Sequence, residues 1–120
     1  MSQEIVKYND VANKIIAIRD KEVILDSDVA ELYGVETREV NQAVKNNPKK
    51  FPQGFVFELS KEEKKEVIKI FDNPKIKFSP ELPKAFTEKG LYMLATTLTG
   101  DKAIHTTIVL KFKHTIKRKN

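Results

Sequence analysis

The stretch 25-LDSDVAELYGVETREVNQAVKNN-47 decides the reading of this chain. It predicts two short helices joined by a tight turn, the second with a polar face. With Asp26 as position one of a twenty-residue unit, Ala30 falls fifth, Gly34 ninth and Val40 fifteenth. Ala30 is small where the second helix crosses. Gly34 supplies the left-handed backbone that the turn needs. Val40 plugs the gap between the helices, and Val29, Tyr33, Val35 and Ala43 complete the inner face. Units of this kind usually lay the second helix in the DNA major groove.

Helix boundaries follow from local chemistry. Asp26 or Ser27 is the expected N-cap of the first helix, and Thr37 that of the second, which Pro48 ends after about Asn46. Upstream, Ile15–Arg19 and Glu22–Leu25 are β-prone runs separated by Asp20-Lys21, which predicts a hairpin with a two-residue loop. Downstream, Phe55, Phe57 and Leu59 alternate with Val56 and Glu58, which predicts a strand after the Pro52/Gly54 turn. Ser60 to Glu63 is a capping box opening a charged helix to about Phe71, with Val67, Ile68 and Phe71 as its apolar stripe. Asp72 to Lys84, carrying Pro74, Pro80 and Pro83, reads as a loop with a brief strand over Lys75–Phe78. Thr87 caps a helix from Glu88 to about Leu98 with Leu91, Leu94, Ala95 and Leu98 inward. Asp101 caps a last helix in which Ile104, Ile108, Phe112 and Ile116 recur every four residues. That stripe suits packing on this domain or on a second copy.

Composition narrows the function classes. The chain has 120 residues, 40% of them hydrophobic, which suits one domain with a modest core. It has no cysteine, so disulfides and thiolate zinc sites are excluded. The N-terminus lacks an apolar signal core, and the longest apolar run, Leu91–Ala95, is far too short to span a membrane. Net charge is +5, and residues 101–120 carry all of it: six Lys or Arg against Asp101 alone. The Lys117–Arg118–Lys119 cluster suits a polyanion partner, or equally a solvated helix end.

Enzymatic patterns are weak. His105 and His114 lie nine residues apart with no carboxylate partners, so no metal site is expected. Asp26-Ser27-Asp28 is explained by helix capping. No glycine-rich phosphate loop is present. No catalytic residue, cofactor, metal or small-molecule substrate is therefore expected. The outward residues of the second helix are instead types that bond to DNA. Arg38, Asn41 and Gln42 are expected at base edges. Thr37, Lys45, Asn46, Lys49 and Lys50 are expected at phosphates, while Phe51 and Phe55 are expected in the core.

Several motifs in register extend this reading. They are 23-VILDSDVAELYGV-35, 40-VNQAVK-45, Phe51-Pro52 with Phe55 and Phe57, 85-AFTEKG-90 with Met93-Leu94, and 101-DKAI-104. Together they resemble the phage and bacterial DNA-binding domain family named after the N-terminal region of phage open reading frame six, related to the KilA-N domains. The likeness spans roughly residues 12–115. It implies a cytoplasmic DNA-binding domain of phage antirepressor-like and regulatory proteins, often followed by a different C-terminal domain. The assignment of Asn41, Gln42 and Lys45 rests on matched motif positions. Ser79–Lys84 departs from the family's aromatic and basic stretch, since only Lys84 there is basic.

The expected fold is α+β: a mainly helical helix-turn-helix domain with an N-terminal β-hairpin, a short strand after the recognition helix and three further helices. A single domain over 1–120, with its core at about 12–116, is expected, and a longer parent protein with a C-terminal effector domain stays open. The expected function is sequence-specific double-stranded DNA binding in transcriptional regulation of phage or prophage type, with a homodimer through the C-terminal helix as the candidate assembly. The alternative is an antirepressor-type module that binds a repressor protein rather than DNA.

Overall fold

The computed structural model describes residues 12–71 and 74–98. Along this part of the chain run β1 (Ile16–Ile18), β2 (Lys21–Leu25), α1 (Asp26–Tyr33), α2 (Thr37–Asn46), a 3-10 turn (Pro48–Lys50), β3 (Val56–Glu58), α3 (Lys61–Phe71), α4 (Pro74–Lys77), β4 (Lys84–Phe86) and α5 (Glu88–Thr97). The protein is α+β, as expected. The expected terminal helix with its Ile104–Ile116 stripe, both histidines and the Lys117–Lys119 cluster lie outside the described residues.

The hairpin forms, but its loop is Arg19-Asp20 rather than Asp20-Lys21, because Ile18 pairs with Lys21. Both loop residues have positive φ, 56° and 61°. A two-residue loop of this hand matches the right-handed twist of the strands. Arginine is a poor residue for that backbone, and its side chain compensates. Arg19 Nε and Nη2 donate to the two Glu63 oxygens at 2.8 and 2.9 Å, and Nη2 donates to Glu58 O at 3.2 Å. The guanidinium also lies 4.3 Å from the centre of the Phe57 ring. The capping box at Ser60 holds the Glu63 carboxylate in place for Arg19. Ser60 N donates to Glu63 Oε1 at 2.7 Å, and Glu63 N donates to Ser60 Oγ at 3.1 Å.

This pair makes a pH prediction. The Arg19 guanidinium, helped by Ser60 N–H, lowers the Glu63 carboxyl from 4.5 to about 2. A carboxyl depressed in the folded state stabilises it fully above the unfolded value and progressively less below. Thermal midpoints should therefore fall as pH drops from about 4.5 towards 2. Glu63→Gln should flatten that segment of the curve, and an unaltered acid limb would refute the assignment. Buried Asp26 titrates in the opposite sense, because burial raises its pKa. The informative quantity is therefore the difference between the two proteins.

The strand β4 departs from the expected elements, and it joins the sheet together. The antiparallel order is β1-β2-β4-β3, so β4 sits between the hairpin and β3. Registers align Ile24, Phe86 and Val56 on one face and Leu25, Ala85 and Phe57 on the other. The first face packs with Val29, Tyr33, Val40, Leu91 and Leu94 of α1, α2 and α5. The second packs with Val67 of α3 and Ile76 of α4. Helices therefore cover both faces, which is why Val23, Ile24, Leu25, Val56, Phe57, Ala85 and Phe86, the buried strand positions, are apolar on either side of the sheet. Phe51 is buried as expected, whereas Phe55 is half-buried.

Other expectations are corrected. Lys75–Phe78 is not a strand: Pro74 suits the first helical position, and Phe78 N donates to Pro74 O at 3.1 Å, one helical turn back. Phe71 leaves the α3 stripe and is 52% exposed. Ala95 is half-buried. Neither Asp26 nor Ser27 caps α1. Leu25 holds that position without a side-chain bond, and Asp26 Oδ2 accepts from Lys84 N at 3.2 Å. Thr87 caps α5 as expected, its Oγ accepting from Gly90 N at 3.3 Å.

Candidate nucleic-acid interface

The turn between α1 and α2 forms as the residue types require. Gly34 has φ 72°, the left-handed conformation that glycine adopts without steric cost. Val35 N donates to Ala30 O at 3.0 Å, which closes the helix end. The chain re-enters helix through Glu36, not Thr37. Glu36 is the N-cap, and its backbone N–H donates to Glu39 Oε1 at 3.1 Å. Glu39, the acid within α2, is thereby bent back to the helix start. Thr37 becomes the first helical residue.

The inner side of α2 is apolar. Val40 is fully buried, and Ala43 and Val44 pack against the same core. Tyr33 supports this junction from α1, its buried hydroxyl donating to Leu91 O at 3.3 Å. Burial holds its pKa far above the ordinary phenol value, so it acts only as a neutral donor.

Directly opposite Val40 and Val44, helical spacing aligns Arg38, Gln42 and Lys45. All three are exposed. Arg38 Nη2 lies 3.2 Å from Glu36 Oε1, and both side chains are open to water, so this pair restrains the guanidinium little. Gln42 Nε2 donates to Asn46 Oδ1 at 3.0 Å, which orients its carboxamide along the helix. Asn47 closes the helix, its Nδ2 donating to Ala43 O at 2.8 Å. The 3-10 turn then presents exposed Lys49 and Lys50 immediately beyond. From Glu36 to Lys50 the surface carries four cations against two carboxylates.

The eight residues expected at DNA are thus not all equivalent. Arg38, Gln42, Lys45 and Asn46 share the exposed side of α2, and Lys49 and Lys50 continue it. Thr37 and Asn41 lie on its flank and are half-buried. Asn41 departs from the outward orientation expected of it: it is half-buried, its Oδ1 is shut away from water, and its side chain neighbours the buried Asp26 carboxylate, whose ionised form it favours. Asp26, an expected cap, instead ties α1, β4 and α2 together. No local signal marks it, because its partners Asn41 and Lys84 are 15 and 58 positions away in sequence.

Among the described residues no helix is long and apolar enough to cross a membrane. Residues 13–97 match the family model described as ORF6N domain. No curated protein and no solved structure matches the chain.

Proposed function

The chain belongs to the ORF6N domain family, and on that premise we propose that it binds double-stranded DNA through the exposed side of α2, in gene regulation of phage or prophage type. The observation that carries this reading is the alignment of Arg38, Gln42 and Lys45 on the open side of a helix anchored by Val40. A helix of this kind fits the major groove. Arg38 would take a guanine edge through O6 and N7. Gln42, steadied by Asn46, would pair with adenine N6 and N7. Lys45, Lys49 and Lys50 would meet phosphates, with Thr37 and Asn46 at the groove edge. Asn41 supports the helix through Asp26 rather than reading a base. The setting is the cytoplasm, where such duplexes lie.

A salt titration of affinity for a mixed duplex tests the proposal. Log affinity should fall linearly with log salt, each phosphate contact adding about 0.9 to the slope. The exposed apolar side chains Ile70, Phe71 and Phe78 favour a second reading, an antirepressor-type module that binds a repressor protein. Absence of duplex binding at low salt would select that reading over the first.

A further inference from the structure

The charges along α2 are segregated. Glu36 and Glu39 stand at its N-terminal end, with Arg38 between them, while Lys45, Lys49 and Lys50 stand at and beyond its C-terminal end. Phosphates attract the lysine end and repel the acid end. The acid end therefore suits the floor of a groove, where base edges replace phosphates. Glu39 is spent within the protein, because its Oε1 accepts from Glu36 N at 3.1 Å. The Glu36 carboxylate is placed differently. Its Oε1 accepts from Arg38 Nη2 at 3.2 Å, and both side chains are open to water. An open pair of this kind adds little to folding stability. It does set a carboxylate beside the guanidinium head that stands opposite Val40.

Side by side, the two heads form a row of donors followed by an acceptor, since guanidinium only donates and carboxylate only accepts. The major-groove edge of a G·C pair shows the complementary row: guanine N7 and O6 accept, and the cytosine N4 amino group donates. O6 and N4 are Watson–Crick partners, so they lie one hydrogen bond apart, about 2.9 Å. Arg38 Nη2 and Glu36 Oε1 are spaced similarly, at 3.2 Å. An A·T pair shows an acceptor, a donor and an acceptor instead, so it matches neither the second donor nor the carboxylate. We propose that Glu36 and Arg38 act as one reading head for a single G·C base pair, Arg38 on guanine N7 and O6 and Glu36 on cytosine N4. Glu36 is thereby a specificity-determining residue. Water is excluded from such a contact, and bonds to charged groups are stronger there than on the open surface. The inference rests on DNA binding through α2 and names the base pair that its N-terminal end selects.

Selection of duplexes from a random pool by the full chain, by Glu36→Ser, by Arg38→Ala and by the double variant tests this. Serine is a preferred N-cap, so α2 keeps its start while the side chain no longer reaches a base. The parent should enrich G·C at one position, and both single variants should lose preference at that same position. In competition between two duplexes that differ only there, G·C against A·T, Glu36→Ser should discriminate about tenfold less, as loss of a hydrogen bond to a charged group implies. The double variant should lose little more than Arg38→Ala. Removal of a negative charge should meanwhile tighten binding to unselected duplexes, so affinity and discrimination move in opposite directions. A role confined to the helix start would leave discrimination unchanged in Glu36→Ser, and a merely repulsive charge would tighten all duplexes alike. Either result would overturn the proposal, as would loss of preference at two different positions in the single variants. Enrichment of no duplex by the parent is a separate outcome, which removes DNA reading by α2 and this inference with it.

Discussion

Gly90→Ala should destabilise the domain by about 3 kcal/mol, the upper end of what overpacking ordinarily costs. Gly90 sits in the first turn of α5, directly against the β3 approach. A methyl group there would collide with the Phe55 carbonyl oxygen, with its carbonyl carbon at 2.9 Å and Phe86 Cδ2 at 3.4 Å. The obstacle is backbone, so it cannot rotate away. Nor can Phe55 retreat freely, because its carbonyl accepts from Thr87 N at 3.0 Å and from Thr87 Oγ at 3.1 Å. Relief of the clash therefore loosens the cap of α5 and the start of β3 together. At about 4–8 °C per kcal/mol for a domain of this size, the thermal midpoint should drop by more than 10 °C. Gly54→Ala is the internal control. Nothing lies within 4 Å of its added carbon, so its midpoint should stay near that of the parent protein. Equal midpoints for the two variants would show that the close approach of α5 to Phe55 does not exist.

The same contact explains the run 85-AFTEKG-90 physically. Ala85 and Phe86 pack on opposite faces of the sheet, Thr87 caps α5 and bonds back to Gly54 O and Phe55 O, and Gly90 lets the helix sit against that loop. These residues serve the fold of the platform. None of them lies on the exposed side of α2.

What can be read in the sequence is what short-range chemistry controls. Gly34 needs only its own backbone freedom to end α1, and the Ser60/Glu63 box is closed within one turn. Val40 is inward because of helical period alone. Features that depend on distant partners are hidden. The three residues of β4 carry no signal of their own and are a strand because β2 and β3 flank them. Arg19 is not an evident turn residue, since its compensation comes from Glu63, 44 positions later. Most relevant to the site, Asn41 is expected outward with Gln42. The period of the helix puts it on the flank, and the buried carboxylate of Asp26 draws it inward. Arg38, Gln42, Lys45, Lys49 and Lys50 are legible because exposed residues answer only to their own element.

The second large effect concerns recognition. Gln42 is exposed in the middle of α2 and held by Asn46, so its truncation removes a positioned carboxamide while the core stays intact. A bidentate contact of that type is worth about 1–3 kcal/mol of discrimination against the wrong base. Loss of it should flatten the preference at one base-pair position and leave the other positions as they were. Lys45→Ala, which would remove a phosphate contact, should instead weaken all duplexes alike.

Selection of bound duplexes from a random pool by the parent chain and by Gln42→Ala, side by side, decides whether α2 is the reader. A defined preference profile is expected for the parent, with loss of preference at a single position in the variant. Identical profiles for the two proteins, or enrichment of no duplex by the parent, would contradict the claim that the open side of α2 reads DNA.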